Sequence, residues 1–306
     1  MAARHVIDRA LARLPERIGL MSVAGTVALA RSQRLADRGE RLALLTEAER
    51  LIRRVLDLQP DHVNTLGSLG VLLKNRGDLD PGRAPRLKAY SEAERLYRRV
   101  LELQTEHVKT LVNLGVLMKK RGDLEPGRVA RLEAYAEAER LYRRVLELEP
   151  NQINALVNLG VLLNTRGDLE PGRLAKLDAY AEVDRLYRRV LELEPNQISA
   201  LGNLGLLLKQ WGDLEPGRVA RLETYAEAEG LYRRVLDLQP DRINALVNLG
   251  VLLSSRVALE PDRAAQLQAE LCRNLGDGAV QAASSLVVVS AATPSVNLMP
   301  AMTFGN

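Results

Sequence analysis

The chain has 306 residues, 46% hydrophobic and 27% charged, with ten aromatic side chains of which eight are tyrosine. A core so poor in rings has to be filled by Leu, Val and Ala, which favours helices. One cysteine, Cys272, excludes an internal disulfide framework, and three scattered histidines, His5, His62 and His107, argue against a His/Cys metal cage.

The formal charge of +4 and the pI near 9.3 are local in origin. Residues 1–60 hold 11 Arg against 7 acidic residues, whereas residues 61–306 hold 32 charges of each sign. A nucleic-acid footprint requires uncompensated positive charge, which the larger part of the chain lacks. The N-terminal segment interrupts its apolar stretches with Arg4, Asp8, Arg9, Arg13 and Arg17, and the chain holds no apolar run of about 18 residues. Neither a secretory signal nor a membrane span is expected, and a cytoplasmic, reducing location is.

Self-similarity is the dominant feature of the sequence. The string Leu-Tyr-Arg-Arg-Val-Leu begins at Leu96, Leu141, Leu186 and Leu231, with Leu51-Ile52-Arg53-Arg54-Val55-Leu56 ahead of them, always 45 residues apart. A second marker, Asn-Leu-Gly, begins at Asn113, Asn158, Asn203 and Asn248, with Ser68-Leu69-Gly70 as its first variant and the same spacing of 45. Pro15, Ile18 and Gly25 occupy the register of Pro60, Val63 and Gly70, which makes the N-terminal segment a worn copy.

Each block parses into two helices. After Pro150, the residues Ile153, Leu156, Leu159 and Leu163 form one helical stripe, and Gly167 reads as a left-handed stop. Asp168-Leu169-Glu170-Pro171-Gly172 forms the connection, with Pro171 suited to a first helical turn. A second helix is predicted from about Arg173 to Leu193, with Leu177, Tyr180, Val183, Tyr187, Val190 and Leu191 on its inner face and Pro195 as its breaker. The Arg pairs of these second helices have acidic residues three or four positions away, the spacing of a self-paired solvated surface.

These residues resemble the tetratricopeptide repeat family. The stretch Pro150 to Gly160 is similar to the family's first helix, Gly167-Asp168 to its turn, and Tyr135-Ala136-Glu137-Ala138 through Pro150 to its second helix and terminal proline. A standard unit has about 34 residues, so each block carries 11 more, inserted between the turn and the Tyr-Ala-Glu-Ala string. Eleven residues are about three helical turns, so the insertion lengthens the second helix without rotating its apolar face. Extended units of this kind are reminiscent of kinesin light chain repeats; the HEAT and armadillo families, which share the period, fit the landmarks less well.

The resemblance covers residues 16–276 and implies an all-α fold, a right-handed α-α solenoid of stacked antiparallel helix pairs. Residues 1–60 are read as a degenerate repeat or cap and residues 61–276 as the array, in blocks 61–105, 106–150, 151–195, 196–240 and a partial 241–276. A two-helix unit cannot cover its own apolar stripes and becomes stable by stacking. The last block decays, with Val257-Ala258 in place of Gly-Asp, a shortened helix from about Asp262 to Asn274, and Cys272 packed within it. The tail 277–306 has no charge after Asp277 and reads as disordered or packed on the last repeat, too weakly apolar to span a membrane.

Motifs for chemistry are missing: there is no Gly-x-Ser-x-Gly elbow, phosphate loop, His-Glu-x-x-His or Cys-x-x-Cys. No catalysis and no cofactor are expected. Arg-Gly-Asp at Arg76, Arg121 and Arg166 belongs to the turn, since the fourth copy reads Trp211-Gly212-Asp213.

The resemblance implies a concave groove lined by first helices. Mapped here, its centre is Val112, Val116, Val157, Val161, Gly202, Leu206, Val247 and Val251, and its edge Lys74, Lys119, Lys120, Asn164, Lys209 and Gln210, with small Gly67 and Gly202 leaving pockets. Rows of valine either bind a partner or pack against neighbouring first helices. The family's clamp for a C-terminal carboxylate needs Lys and Asn where this chain has Val. The expected partner is a protein or peptide with apolar anchors and acidic residues, bound by a scaffold or adaptor. The alternatives are a nucleic-acid-associated helical repeat and a non-catalytic region of a larger enzyme system. Oligomeric state is open.

Overall fold

A computed structural model describes residues 18–35 and 37–260. The N-terminal arginines up to Arg17, the shortened last helix with Cys272 and the uncharged tail lie outside the described residues. Among the described residues the chain is helical throughout and divides into two compact units at Pro150. The first unit contains α1 (Ile18–Ser32), α2 (Arg38–Leu58), α3 (Val63–Leu79), α4 (Arg83–Leu103), α5 (Val108–Leu124) and α6 (Arg128–Leu148). The second contains α7 (Ile153–Asp168), α8 (Arg173–Leu193), α9 (Ile198–Leu214), α10 (Arg218–Leu238) and α11 (Ile243–Leu259).

Within each unit an odd-numbered first helix packs along the even-numbered second helix that follows, and that second helix packs on the next first helix. The buried stripe of α6 is Tyr135, Ala138, Tyr142 and Val145, and that of α8 is Tyr180, Val183, Tyr187 and Val190. This three-and-four spacing is that of one helical face. The opposing stripe comes from residues such as Leu111, Leu114, Leu117 and Met118 of α5.

In the four helix pairs from α3 to α10 a tyrosine ring lies against a glycine. A Cβ on Gly115 would lie 2.6 Å from Cε1 of Tyr142, and one on Gly160 or Gly205 would lie 2.6 or 2.9 Å from the same atom of Tyr187 or Tyr232. A second contact recurs nearer the turn, where a Cβ on Gly122 or Gly212 would lie 2.6 Å from Cε1 of Tyr135 or Tyr225. No side chain fits at such distances, so the ring occupies the space that a Cβ would fill. In α1 and α2 the tyrosines are replaced: Ile52 takes the place of the second ring, 2.7 Å from a Cβ built on Gly25, and buried Leu45 stands in the register of the first.

This contact corrects the reading of Gly167 as a left-handed helix stop. Gly77, Gly122, Gly167 and Gly212 lie inside their first helices, and none has a positive φ. They are glycines because the first tyrosine of the next helix lies beside them; at Gly167 the nearest atom is instead Cβ of Ala179, at 3.1 Å. Pro171 is corrected as well: α8 begins at Arg173 with Gly172 as its N-cap, so the proline precedes the cap.

The first tyrosine of each pair donates its phenol O–H to the aspartate of the Gly-Asp turn. Tyr90 reaches Asp78 at 2.5 Å, Tyr135 reaches Asp123 and Tyr180 reaches Asp168 at 2.6 Å, and Tyr225 bonds Asp213. The second tyrosines are enclosed, and the O–H of Tyr97 has no protein partner. Burial raises the phenol pKa at all eight positions, and the neighbouring aspartates raise the first tyrosines further.

Two predictions follow from this packing. Gly115→Ala forces a methyl into the Tyr142 ring and is expected to cost about 1–3 kcal/mol in urea unfolding. Gly230→Ala, on the open side of α10 where an added Cβ meets nothing within 4 Å, is expected to gain up to about 1 kcal/mol from helix propensity. The second concerns pH. The folded chain keeps its phenol protons where the unfolded chain has released them, so stability is full below the ordinary pKa of about 10 and falls as pH rises above it. Tyrosinate absorbance should therefore appear together with loss of the helical circular dichroism signal; tyrosinate formed in a fully helical chain contradicts the packing.

Candidate partner-binding surface of the first helices

The valine rows are half covered. Val112, Val157 and Leu206 are 8%, 3% and 6% exposed, and Gly202 is buried with them. Val116, Val161 and Val251 are half-buried, whereas Val247 is 39% exposed. Consecutive first helices meet within each unit. Val247 belongs to α11, the last first helix among the described residues. Of the two readings of these rows, burial holds for Val112, Val157, Gly202 and Leu206, while Val116, Val161, Val247 and Val251 keep accessible surface. At Gly67 of α3 an added Cβ would meet nothing within 4 Å, which leaves a notch there.

The basic edge is electrically closed. Lys119 pairs with Asp123 at 2.8 Å and Lys209 with Asp213 at 2.6 Å, each one helical turn away. Asp78 receives Lys74 at 3.5 Å, Lys120 of the following repeat at 3.2 Å and the phenol of Tyr90. Burial holds the Lys74 ammonium below its usual pKa, with Asp78 opposing and Lys120 adding to the shift. Burial alone would raise Asp78, yet Lys74, Tyr90 and Lys120 together hold it below the ordinary carboxylate range. In the second unit Asn164 donates to Gln210 at 3.0 Å, and Gln210 donates to Asp168 at 3.2 Å. The turn aspartate is therefore the hub of this edge. Its signal was available in the sequence, because Asp and Tyr stand 12 residues apart at 78/90, 123/135, 168/180 and 213/225. Asn75, beside Lys74 and 8% exposed, has a side-chain nitrogen without a partner.

The second helices carry the self-paired arginines. Arg53 bridges Glu49 and Glu92 at 2.9 and 2.7 Å, Arg98 bridges Glu94 and Glu137 at 2.8 and 3.1 Å, and Arg188 bridges Asp184 and Glu227 at 2.9 and 2.8 Å. Each links one second helix to the next. Arg144 reaches back to Glu106 before its own first helix, at 2.7 Å. The arginines of Arg-Gly-Asp are engaged too: Arg76 pairs with Glu49 at 2.8 Å and Arg121 pairs with Glu94. Where the arginine becomes Trp211, the acid in the register of Glu49 and Glu94 is the shorter Asp184, which needs only to reach Arg188.

Among the described residues no helix is long and apolar enough to cross a membrane, and no group of three or more side chains is arranged to hold a metal ion.

No family model matches the chain, and no curated protein does. Solved structures match its architecture. PilW, a type IV pilus biogenesis factor, superposes with a TM-score of 0.56 at 13% identity, over 84% of this chain and 97% of that one. Pseudomonas aeruginosa pilF gives 0.52 at 17% identity over 87% and 98% of the two chains. A tetratricopeptide repeat protein from Parabacteroides merdae gives 0.50 at 19% identity over 94% and 91%. At such identities the likeness concerns the fold, and it agrees with the paired helices and the Gly-Asp and Asn-Leu-Gly landmarks: the chain has the tetratricopeptide repeat fold, in units of 45 residues.

Proposed function

We infer that the chain is a non-catalytic scaffold for protein–protein interaction, taking a peptide or helix of a partner on the surface of its first helices. The observation that carries this reading is that each unit leaves half-covered aliphatic side chains on its first helices, Val71 and Val116 in the first unit, beside the open space at Gly67, and Val161 and Val251 in the second. Packing within the chain buries Val112, Val157 and Leu206, while Val116, Val161 and Val251 keep part of their surface for a partner. Small apolar anchors suit a surface of this kind. Lys74, Lys119, Lys120 and Lys209 are engaged with aspartates, so acidic groups of a partner bind there only by sharing or displacing Asp78, Asp123 or Asp213. The reading assumes a cytoplasmic location and needs no cofactor. The paired arginines favour it over a nucleic-acid partner, whose phosphates would have to compete with Glu92, Glu137 and Glu227.

Three substitutions separate surface from core. Val161→Asp is expected to keep the helical spectrum and melting temperature while reducing partner capture in an unbiased pull-down, and Gly67→Leu is expected to do the same by filling the notch. Val157→Asp buries a carboxylate without a partner and is expected to destabilise the fold by on the order of 3 kcal/mol. Capture of the same proteins at full yield by the first two variants contradicts the assignment.

A further inference from the structure

The inserted segment makes a second surface, remote from the strip of first-helix valines in its chemistry. Each insertion begins a second helix with Pro-Gly-Arg, and the next residue is Ala84, Val129, Leu174 or Val219. Val129, Leu174 and Val219 are 72%, 76% and 70% exposed, the most exposed large aliphatic side chains among the described residues. Most other well-exposed positions along these helices hold charged or small residues, such as Arg140, Arg185, Ala136 and Ala226, with Leu103 and Leu238 at the helix ends less exposed than these three.

Nothing in the folding of α8 and α10 calls for exposed aliphatic side chains at Leu174 and Val219. Both helices start on Gly172 and Gly217, which make no side-chain cap, and neither has an acidic residue in its first turn. Arginine and lysine there oppose the helix dipole, and an aliphatic side chain in water gains nothing. By contrast α2, a second helix of the same length, starts on Asp37 with Glu40 in its first turn and a cap bond of 2.7 Å. Local choices that cost stability and recur from copy to copy mark a functional surface.

The geometry brings the two aliphatics of the second unit to one turn. Arg173, next to Leu174, donates from Nε to the carbonyl of Leu214 at 2.8 Å. Leu214 ends α9, and the turn from it leads directly into Arg218 and Val219. Arg221 folds back on the carbonyl of Glu215 at 2.7 Å, which fixes the turn between them. Arg218 has no hydrogen bond or ion pair to any described residue, and Lys176 adds a fourth cation to these first turns. We propose that the first turns of α8 and α10 form a docking edge for an acidic polypeptide segment with two aliphatic anchors, which seat against Leu174 and Val219 while carboxylates meet Arg218 and Lys176. Discrete anchors fit a peptide better than a lipid surface, because Glu170 and Glu215 of the adjoining turns would face the phosphates of an anionic membrane.

The test uses the full chain and short synthetic peptides in which two leucines at varied separation are flanked by glutamates, read by fluorescence anisotropy. Binding by a subset of separations is expected, weakened at least about tenfold by Leu174→Ser with Val219→Ser, and similarly by Arg218→Glu. The melting temperature should not move, since these side chains are solvent-exposed. Val161→Asp should leave this binding unchanged, which separates the edge from the first-helix surface. Absence of binding at every separation, equal binding by the serine variant, or loss of binding only in variants that melt lower would overturn the proposal. Phosphatidylserine vesicles form the other arm: co-sedimentation that depends on Leu174 and Val219, without peptide binding, would overturn it in favour of a membrane partner.

Discussion

In the repeats from Gly70 onward a tyrosine ring lies where a glycine has no Cβ, at Gly70, Gly115, Gly160 and Gly205, with a second such contact at Gly77, Gly122 and Gly212, and the rest of the structure depends on that approach. A ring at this position fixes the second helix along the first in both rotation and height, because it fits only opposite a residue without a side chain. The same rings bury area that a small Leu, Val and Ala core lacks. The first pair of helices shows what the requirement is: with Ile52 and Leu45 in place of the rings the register is retained, Gly25 still faces Ile52, and the phenol bond to a turn aspartate is lost. The contact is steric first and polar second.

The polar part joins structure to the candidate site. The turn aspartate accepts the phenol, answers the lysine one turn earlier and, in Asp78 and Asp168, takes a residue of the next repeat. Lysines that a groove would present to an acidic ligand are the same ones that stabilise the stack. Any partner carboxylate at that edge competes with an existing ion pair, which limits the affinity it can add. The first turns of the second helices carry the opposite arrangement, with exposed aliphatics and with Arg218 unmatched among the described residues.

The second helix was legible in the sequence from one end to the other: Pro-Gly before Arg173 and Glu-Pro after Leu193 bracket it, and its stripe of Tyr180, Val183, Tyr187 and Val190 has helical spacing. Gly167 was misread because a glycine near a helix end matches the pattern of a left-handed cap, and local pattern carries no trace of the second-helix residue, Ala179, that packs against it. The valines were undetermined for a related reason. Periodicity tells which side chains share a face, and stacking decides what covers that face, so Val112 and Val116 differ in burial despite identical chemistry. The aspartate hub was present as a fixed spacing to tyrosine, but fixed spacing is common to every pair of positions in a repeat and becomes informative only with the fold.

The central claim is that glycine and tyrosine act as one unit, and a double-mutant cycle at Gly115 and Tyr142 measures this directly. Gly115→Ala, Tyr142→Leu and the double variant are compared by urea unfolding. If the ring and the missing Cβ are complementary, leucine relieves the clash that alanine creates, and the double variant is more stable than the sum of the single losses by at least about 1 kcal/mol. Additivity within about 0.5 kcal/mol would contradict the account, because it would mean that the glycine is required for a reason other than the ring.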